Sequence, residues 1–383
     1  MSLNKMKATV LSGVTVAGLL GASVAVSASA EASVAKTSIN YSTCNSLAAC
    51  GGMSALIKAA KAEGQLNVIT LPTNWVNYGT IMADFTKAYG IHITDANPEG
   101  SSQDEINAIN ADLPTRPDVV DVSLPHAAVN DALFAPYEVA TWKNIPTSLK
   151  DVTGHWFADY GGNVAIGYDS SIVKTAPTSF KSLLNPIYKN EVGINGDPND
   201  AGAAFAAVMA ASIANGGSVN NIKPGIDFFQ KLKKEGNYVP VTSGPATVQN
   251  HSTPIVIWWD YLQASEISPV VKGWKIIEPT DATYQGDYFQ AIAKNAPDPA
   301  AARLWEEYLY STTGQNLFLQ GLTVPVEYAA MAKAGTLNKA FAAKLPAPAK
   351  GAPAAVSASQ AQQTAAAQVL LANWGTEVGD FSD

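Results

Sequence analysis

Basic charge is scarce in this chain, and so are cysteine, histidine and long apolar runs. Its 383 residues carry 24 Lys and Arg against 32 Asp and Glu, a formal net charge of −8. A balance on that side gives polyanions little electrostatic footing, so nucleic acid and anionic membrane are poor partners for it. The four histidines, His92, His126, His155 and His251, include no two at the close spacing of a metal motif. No G-x-S-x-G elbow offers a serine nucleophile, and Gly161-Gly162 and Gly216-Gly217 lack the phosphate-cradling pattern of a dinucleotide or P-loop site. With the common catalytic patterns absent, the chain reads as a binding protein and not an enzyme, with no cofactor and no metal.

The only cysteines are Cys44 and Cys50, in CNSLAAC. Two cysteines without a neighbouring histidine cannot fill a tetrahedral metal shell. They read as a small local disulfide or as two free thiols, and an oxidising compartment favours the first. Such a compartment is what the N-terminus implies. Lys5 and Lys7 precede an uncharged apolar stretch, Ala8 to Val26, and Ser27-Ala28-Ser29-Ala30 ends it in a small-x-small cleavage pattern. Residues 1–30 therefore read as a signal peptide, the competing reading being a membrane anchor, and the mature protein as periplasmic or secreted. No second run approaches the length of a membrane span. Removing Lys5 and Lys7 and no acid takes the formal charge from −8 to about −10.

What is present is a regular alternation. Ser54 to Glu63 has helical spacing and stops at Gly64, Leu66 to Leu71 is a buried strand, Ile81 to Tyr89 a helix and Ile91 to Thr94 a strand. The rhythm continues with a helix from Gln103 to Ala111, strands at Asp118 to Ser123, Gly162 to Tyr168 and Val192 to Asn195, and an Ala-rich helix from Ala201 to Ala214. Later come a helix from Ile226 to Glu235, strands at Tyr238 to Val241, Trp274 to Ile277 and Tyr284 to Ile292, and a helix from Asp298 to Tyr310. An Ala/Pro-rich stretch, Ala342 to Ser359, reads as a mobile connector to a final apolar helix, Gln362 to Trp374, that docks back on the body. Strands alternating with helices make the fold class α/β with parallel or mixed sheets.

The stretch Pro254 to Ala264 (PIVIWWDYLQA) carries the densest chemistry. A buried strand delivers Trp258 and Trp259, then Asp260 and Tyr261. Strand ends in open α/β sheets are where ligands bind, and flat aromatic walls beside a carboxylate suit an organic cation. The competing reading makes both tryptophans core and Asp260 a helix cap. Other aromatic and acidic groups stand at predicted strand ends: Trp75 and Tyr78, Asp197 and Asp200, Asp287 and Tyr288. Together they suggest one cleft lined by several loops.

From about Ala59 to about Val326 the chain resembles the extracellular solute-binding proteins of ABC importers, with a pattern most similar to their polyamine-binding (spermidine/putrescine) branch. Asn74, Trp75 and Tyr78 form an N-W-x-x-Y similar to that branch's first-lobe loop. DVVDVS and GNVAIGYDSSIV match its next strand and its crossover strand. Asn199-Asp200-Ala201 with Phe205 falls on its Asp-rich helix start, and Ile257-Trp258 on its second-lobe Ile-Trp pair. The resemblance departs at Ala203, where the branch has a second acid, and at Gly286-Asp287-Tyr288, where the acid is shifted by one residue and so turned to the other face.

The resemblance implies a two-lobe periplasmic binding protein fold of type II, each lobe a mixed sheet flanked by helices. Lobe one is expected over 31–165 and 262–330, lobe two over 166–261, and a C-terminal helical segment over 331–383. It also implies a monomer that carries a small amine or polyamine to ABC permease subunits. In this scheme Trp75, Tyr78 and Trp258 wall the ligand, Asp200 and Asp260 pair its ammonium groups, Ser123 orients it, and Tyr160 and Tyr288 line the hinge side. A branch that binds small anions such as phosphonates or phosphate esters stays open through Ser101, Ser102 and Ser123 at a helix start. The ferric-ion branch relies on adjacent tyrosines, which this chain lacks.

Overall fold

The computed structural model describes residues 39–111, 113, 115–346 and 353–381. The expected signal peptide lies outside them. The chain opens with Cys44 and Cys50 joined as a disulfide. Helix α1 (Met53–Glu63) follows and ends at Gly64 in the left-handed conformation, as its glycine stop predicts. Strand β1 (Gln65–Ile69) pairs in parallel with β2 (His92–Ala96) across helix α2 (Tyr78–Tyr89).

The remaining strands form one long sheet around β5 (Phe157–Asp169). Helix α3 (Ser102–Asn110) leads into β3 (Val119–Ser123), followed by the short helix α4 (Leu124–Val129) and β4 (Phe134–Ala135). After β5 come β6 (Val192–Ile194), helix α5 (Gly202–Ala214), helix α6 (Lys223–Lys234), β7 (Tyr238–Thr242), β8 (Ile255–Trp259), β9 (Trp274–Ile277), β10 (Gln285–Ala293) and β11 (Val324–Pro325). The spatial order is β3-β10-β5-β8-β6-β7.

Strand β5 divides its partners along its length. Residues 157–163 pair antiparallel with β10, and residues 164–169 with β8 and β9. The sheet thus has two halves, β3, β4, β10 and β11 on one side and β6 to β9 on the other, joined through a single 13-residue strand. At the changeover sit Gly161 and Gly162. A Cβ on Gly162 would collide with the Tyr261 ring, and one on Gly161 with the Asp287 carboxylate. That close approach accounts for a glycine pair that carries no phosphate-binding pattern.

The pairing corrects one expected boundary. Strand β9 was assigned to the first lobe, but it hydrogen-bonds to Ile166–Asp169 and so belongs with β6 to β8. The chain returns to the first half only in the segment between β9 and β10. A second correction concerns the connector. Val356 exchanges backbone hydrogen bonds of 3.0 Å with Thr283 and Gln285, so that part of the Ala/Pro-rich stretch is held against the sheet. A helix at Thr312–Gln320 was not anticipated, because its Thr, Gly and Gln content hides the periodicity.

Candidate functional site

Between the two half-sheets lies a cavity of about 500 Å3. From the first half come the loop after β1 (Thr70, Pro72, Asn74, Trp75), the start of α3 (Glu99 to Glu105) and Asp121 of β3. From the second come Asn195 to Ala203 between β6 and α5, Thr242 to Thr247 after β7, Trp258 and Glu266; Tyr288 of β10 closes the floor. The lining includes seven carboxylates, Glu99, Asp104, Glu105, Asp121, Asp197, Asp200 and Glu266, and no Lys, Arg or His.

Local structure explains how Trp75 is presented. The loop turns sharply, with Val76 and Asn77 both at positive φ (37° and 73°). A β-branched residue there is strained, and it is held by burial of Val76 and by a hydrogen bond from Asn77 Nδ2 to the Leu317 carbonyl (3.0 Å). The Trp75 indole N–H then donates to the Tyr160 hydroxyl at 2.8 Å. Its ring meets Trp258 edge-on at 6.2 Å and Tyr288 at 5.7 Å, an aromatic corner built from both halves.

Beneath that corner runs a buried acid network. Asp121 Oδ2 accepts from the hydroxyls of Tyr160 (2.7 Å) and Tyr78 (3.0 Å), and Tyr78 also donates to Asp159, which Gln290 supports. The other oxygen, Asp121 Oδ1, is buried and has no partner. Burial pushes Asp121 up to about 7, against the lowering effect of its two tyrosine hydrogen bonds. Glu105, which accepts the Asp121 N–H at 2.8 Å, is raised well above the carboxylate range by burial and then by the Asp121 charge. Burial also pushes Glu266 up to about 8. Asp200, at the exposed rim, is raised by partial burial and by the charges of Asp197 and Asp104. All four are raised first by burial, and no basic side chain in the lining offsets it.

Residues 116–350 match the family of bacterial extracellular solute-binding proteins. That is well over half of the chain. The chain belongs to this family. Solved structures agree on the fold. The Actinobacillus pleuropneumoniae periplasmic binding protein AfuA, with exogenous fructose-6-phosphate bound, is 18% identical, covers 82% of this chain and 98% of its own, and superposes with a TM-score of 0.63. A Listeria monocytogenes protein described as a spermidine/putrescine ABC transporter is 11% identical over 82% and 99%, TM-score 0.61. Iron-bound HitA from Pseudomonas aeruginosa is 17% identical over 80% and 97%, TM-score 0.60. The fold is the type II periplasmic binding protein fold that the sequence resemblance implied.

In this solute-binding protein four of the eight expected ligand residues line the cleft: Trp75, Asp200, Trp258 and Tyr288. The other four do not. Tyr78 is fully buried one layer down, on Asp121 and Asp159. Tyr160 lies in the same layer, stacked on Tyr288 at 5.6 Å. Ser123 turns away from the cleft, with its hydroxyl 2.9 Å from His126 Nδ1. Asp260 is the larger displacement. Strand β8 ends at Trp259, so Asp260 starts a helical turn instead of continuing the alternation. Its carboxylate accepts the backbone N–H groups of Asn163 (3.1 Å) and Tyr261 (2.8 Å), and burial pushes it up to about 6. It serves two backbone N–H groups, but the cap position of the turn is Trp259, without a side-chain cap bond, so Asp260 is not the helix cap of the competing reading either. The shifted acid, Asp287, is likewise absent from the cleft lining; it borders a small void with Ser123 and Trp259.

Asp121 was missed as a site residue, although an acid inside the apolar run DVVDVS was a legible signal. Glu105 and Glu266 were missed because helical acids near an N-terminus or on a surface face are usual.

Proposed function

We propose that this solute-binding protein captures a small organic amine, such as a short polyamine or a monoamine, and delivers it to an ABC importer. The carrying observation is the cleft lining: seven carboxylates, no basic side chain, and an aromatic corner of Trp75, Trp258 and Tyr288. An ammonium ion leaving water needs a carboxylate or several acceptors, and Asp121 Oδ1 is a buried acceptor without a partner. Aromatic faces add about 0.5–2 kcal/mol for each cation contact.

The anion reading loses its main support. The α3 N-terminus is already occupied, because Asp104 accepts from the Ser101 N–H and hydroxyl (2.8 Å each) in a capping box. One observation favours a variant of the amine reading. Helix α5 has no side-chain cap, and its first residue, Gly202, lines the cleft near Asp200, so an amine that also bears a carboxylate would meet the positive end of that helix.

The two lobes are proposed as residues 39–163 with 285–346, and 164–277, closing on the ligand about β5 and the segment before β10. The test is thermal denaturation with putrescine, cadaverine, choline and γ-aminobutyrate against phosphate and fructose-6-phosphate. At least one amine is expected to raise the melting temperature, with Asp121→Asn weakening its affinity about 10- to 100-fold, the worth of a charged hydrogen bond. A shift with a phosphate ester and none with any amine contradicts the proposal.

A further inference from the structure

The family match ends at residue 350, yet the chain continues into a C-terminal helix, Gln360–Glu377. This helix packs against elements of both halves: α4, which lies on β3 and β10, and α6, which lies on α5 and β7. On the α6 side Trp374 is buried with its ring 5.5 Å from Phe229, Glu377 pairs with Lys223 at 2.9 Å, and Gln362 Nε2 donates to Asn220 at 2.8 Å. Lys233 Nζ donates to the Val378 carbonyl. Ahead of the helix, Val356 is bonded to the return segment between β9 and β10. Beyond it, Phe381 reaches the cleft lining and meets the Tyr238 ring edge-on at 6.5 Å.

We infer that the C-terminal segment is a working part of the solute site: a strap that ties the two half-sheets together and places Phe381 on the cleft wall as an apolar contact for the ligand. Two observations carry this independently. The first is topological. The halves are otherwise joined by β5 and the return segment, and opening bends the molecule there. A helix seated on α4 and α6 together, with Ala366, Leu370 and Trp374 buried, has to slide or detach from one of them for the halves to part. Its apolar contacts therefore favour the closed arrangement in the absence of ligand, and a closed population raises apparent affinity in proportion. The second is chemical. Among the cleft-lining residues, Phe381 is the large apolar side chain beside β7, where Thr242, Gly244 and Ala246 also line the wall. An amine held by carboxylates leaves its carbon chain to be covered, and Phe381 is placed to do so.

The role of Phe381 rests on the amine reading; the strap does not, so the two are tested separately. For the strap, small-angle scattering compares ligand-free wild type with Trp374→Ala and with Glu377→Lys, which sets like charge against Lys223 and Lys233. A larger radius of gyration in a variant that keeps its circular dichroism spectrum is expected. An unchanged radius in the folded variants overturns the strap, and Glu377→Lys serves where Trp374→Ala does not fold. For Phe381, putrescine is titrated calorimetrically into wild type and Phe381→Ala, with circular dichroism confirming that the variant is folded. Wild-type binding weakened about fivefold or more in the variant supports the assignment. Equal affinity overturns it while leaving the amine reading intact. No putrescine binding by wild type removes the amine contact proposed for Phe381 and leaves the strap to the scattering result.

Discussion

Asp121, in the middle of β3, and Asp260, just past the end of β8, are both acids beside aromatic rings, yet their surroundings give them opposite work. Asp260 has both its backbone partners in place and is not among the residues that line the cleft. Asp121 lines the cleft and has one buried oxygen without a hydrogen-bond partner, while its other oxygen is fixed by two tyrosine hydroxyls. Asp260→Asn is therefore expected to lower stability by about 1–3 kcal/mol, the cost of compromising buried hydrogen bonds, with ligand affinity unchanged. Denaturant titration and calorimetry read the two effects apart. A loss of binding in Asp260→Asn comparable to that in Asp121→Asn would reverse these roles. The distinction was not visible in the sequence, because side-chain alternation transfers from Trp258 to Asp260 only if the strand continues. It stops one residue earlier.

At the level of elements, nearly every strand and long helix was legible from periodicity and glycine stops, since the core strands are apolar runs and the helices end at Gly64 and Gly90. What escaped was set by long-range packing. The expected crossover strand began at Gly162, but β5 starts at Phe157, because the glycine pair sits inside the strand where other side chains press on it. The N-terminal disulfide shows the same dependence on distant partners. It shapes a turn whose Ser42 and Cys44 carbonyls accept from the buried Arg303 of the helix Pro299–Leu309, at 3.1 and 2.7 Å. Burial lowers Arg303 to about 10, against the raising effect of Tyr137, Glu63 and Glu306, and those carbonyls join the Pro299 carbonyl as its hydrogen-bond acceptors. Closing so short a loop stabilises by about 2 kcal/mol. Cys44→Ser with Cys50→Ser should lower the denaturation midpoint by a corresponding amount and leave amine affinity untouched; a loss of affinity would tie this turn to the cleft.

Across the whole molecule the buried acids set an unusual pH response. Asp118, Asp121 and Asp287 are each pushed up to about 7 and Glu266 to about 8, in every case chiefly by burial. In the unfolded chain such groups titrate near 4. Between these values the folded state binds more protons, so stability falls as pH rises through the folded values and is highest on the acid side of them. The ligand-free protein is expected to melt higher at pH 5.5 than at pH 8.5. A bound amine should narrow that gap by stabilising the ionised forms of Asp121 and Glu266. A melting temperature that climbs from pH 5.5 to 8.5 would show these carboxylates ionised at little cost.

The same lack of countercharge makes the occupant of the cleft the most direct question to ask of the protein. Binding proteins of high affinity retain their solute through gentle purification, so native mass spectrometry of protein isolated without refolding reads the occupant's mass. The account predicts an adduct that dissociates as an organic amine, cationic at neutral pH, and that is lost in Asp121→Asn. A phosphate-bearing adduct or a bound iron, retained in Asp121→Asn, would contradict it.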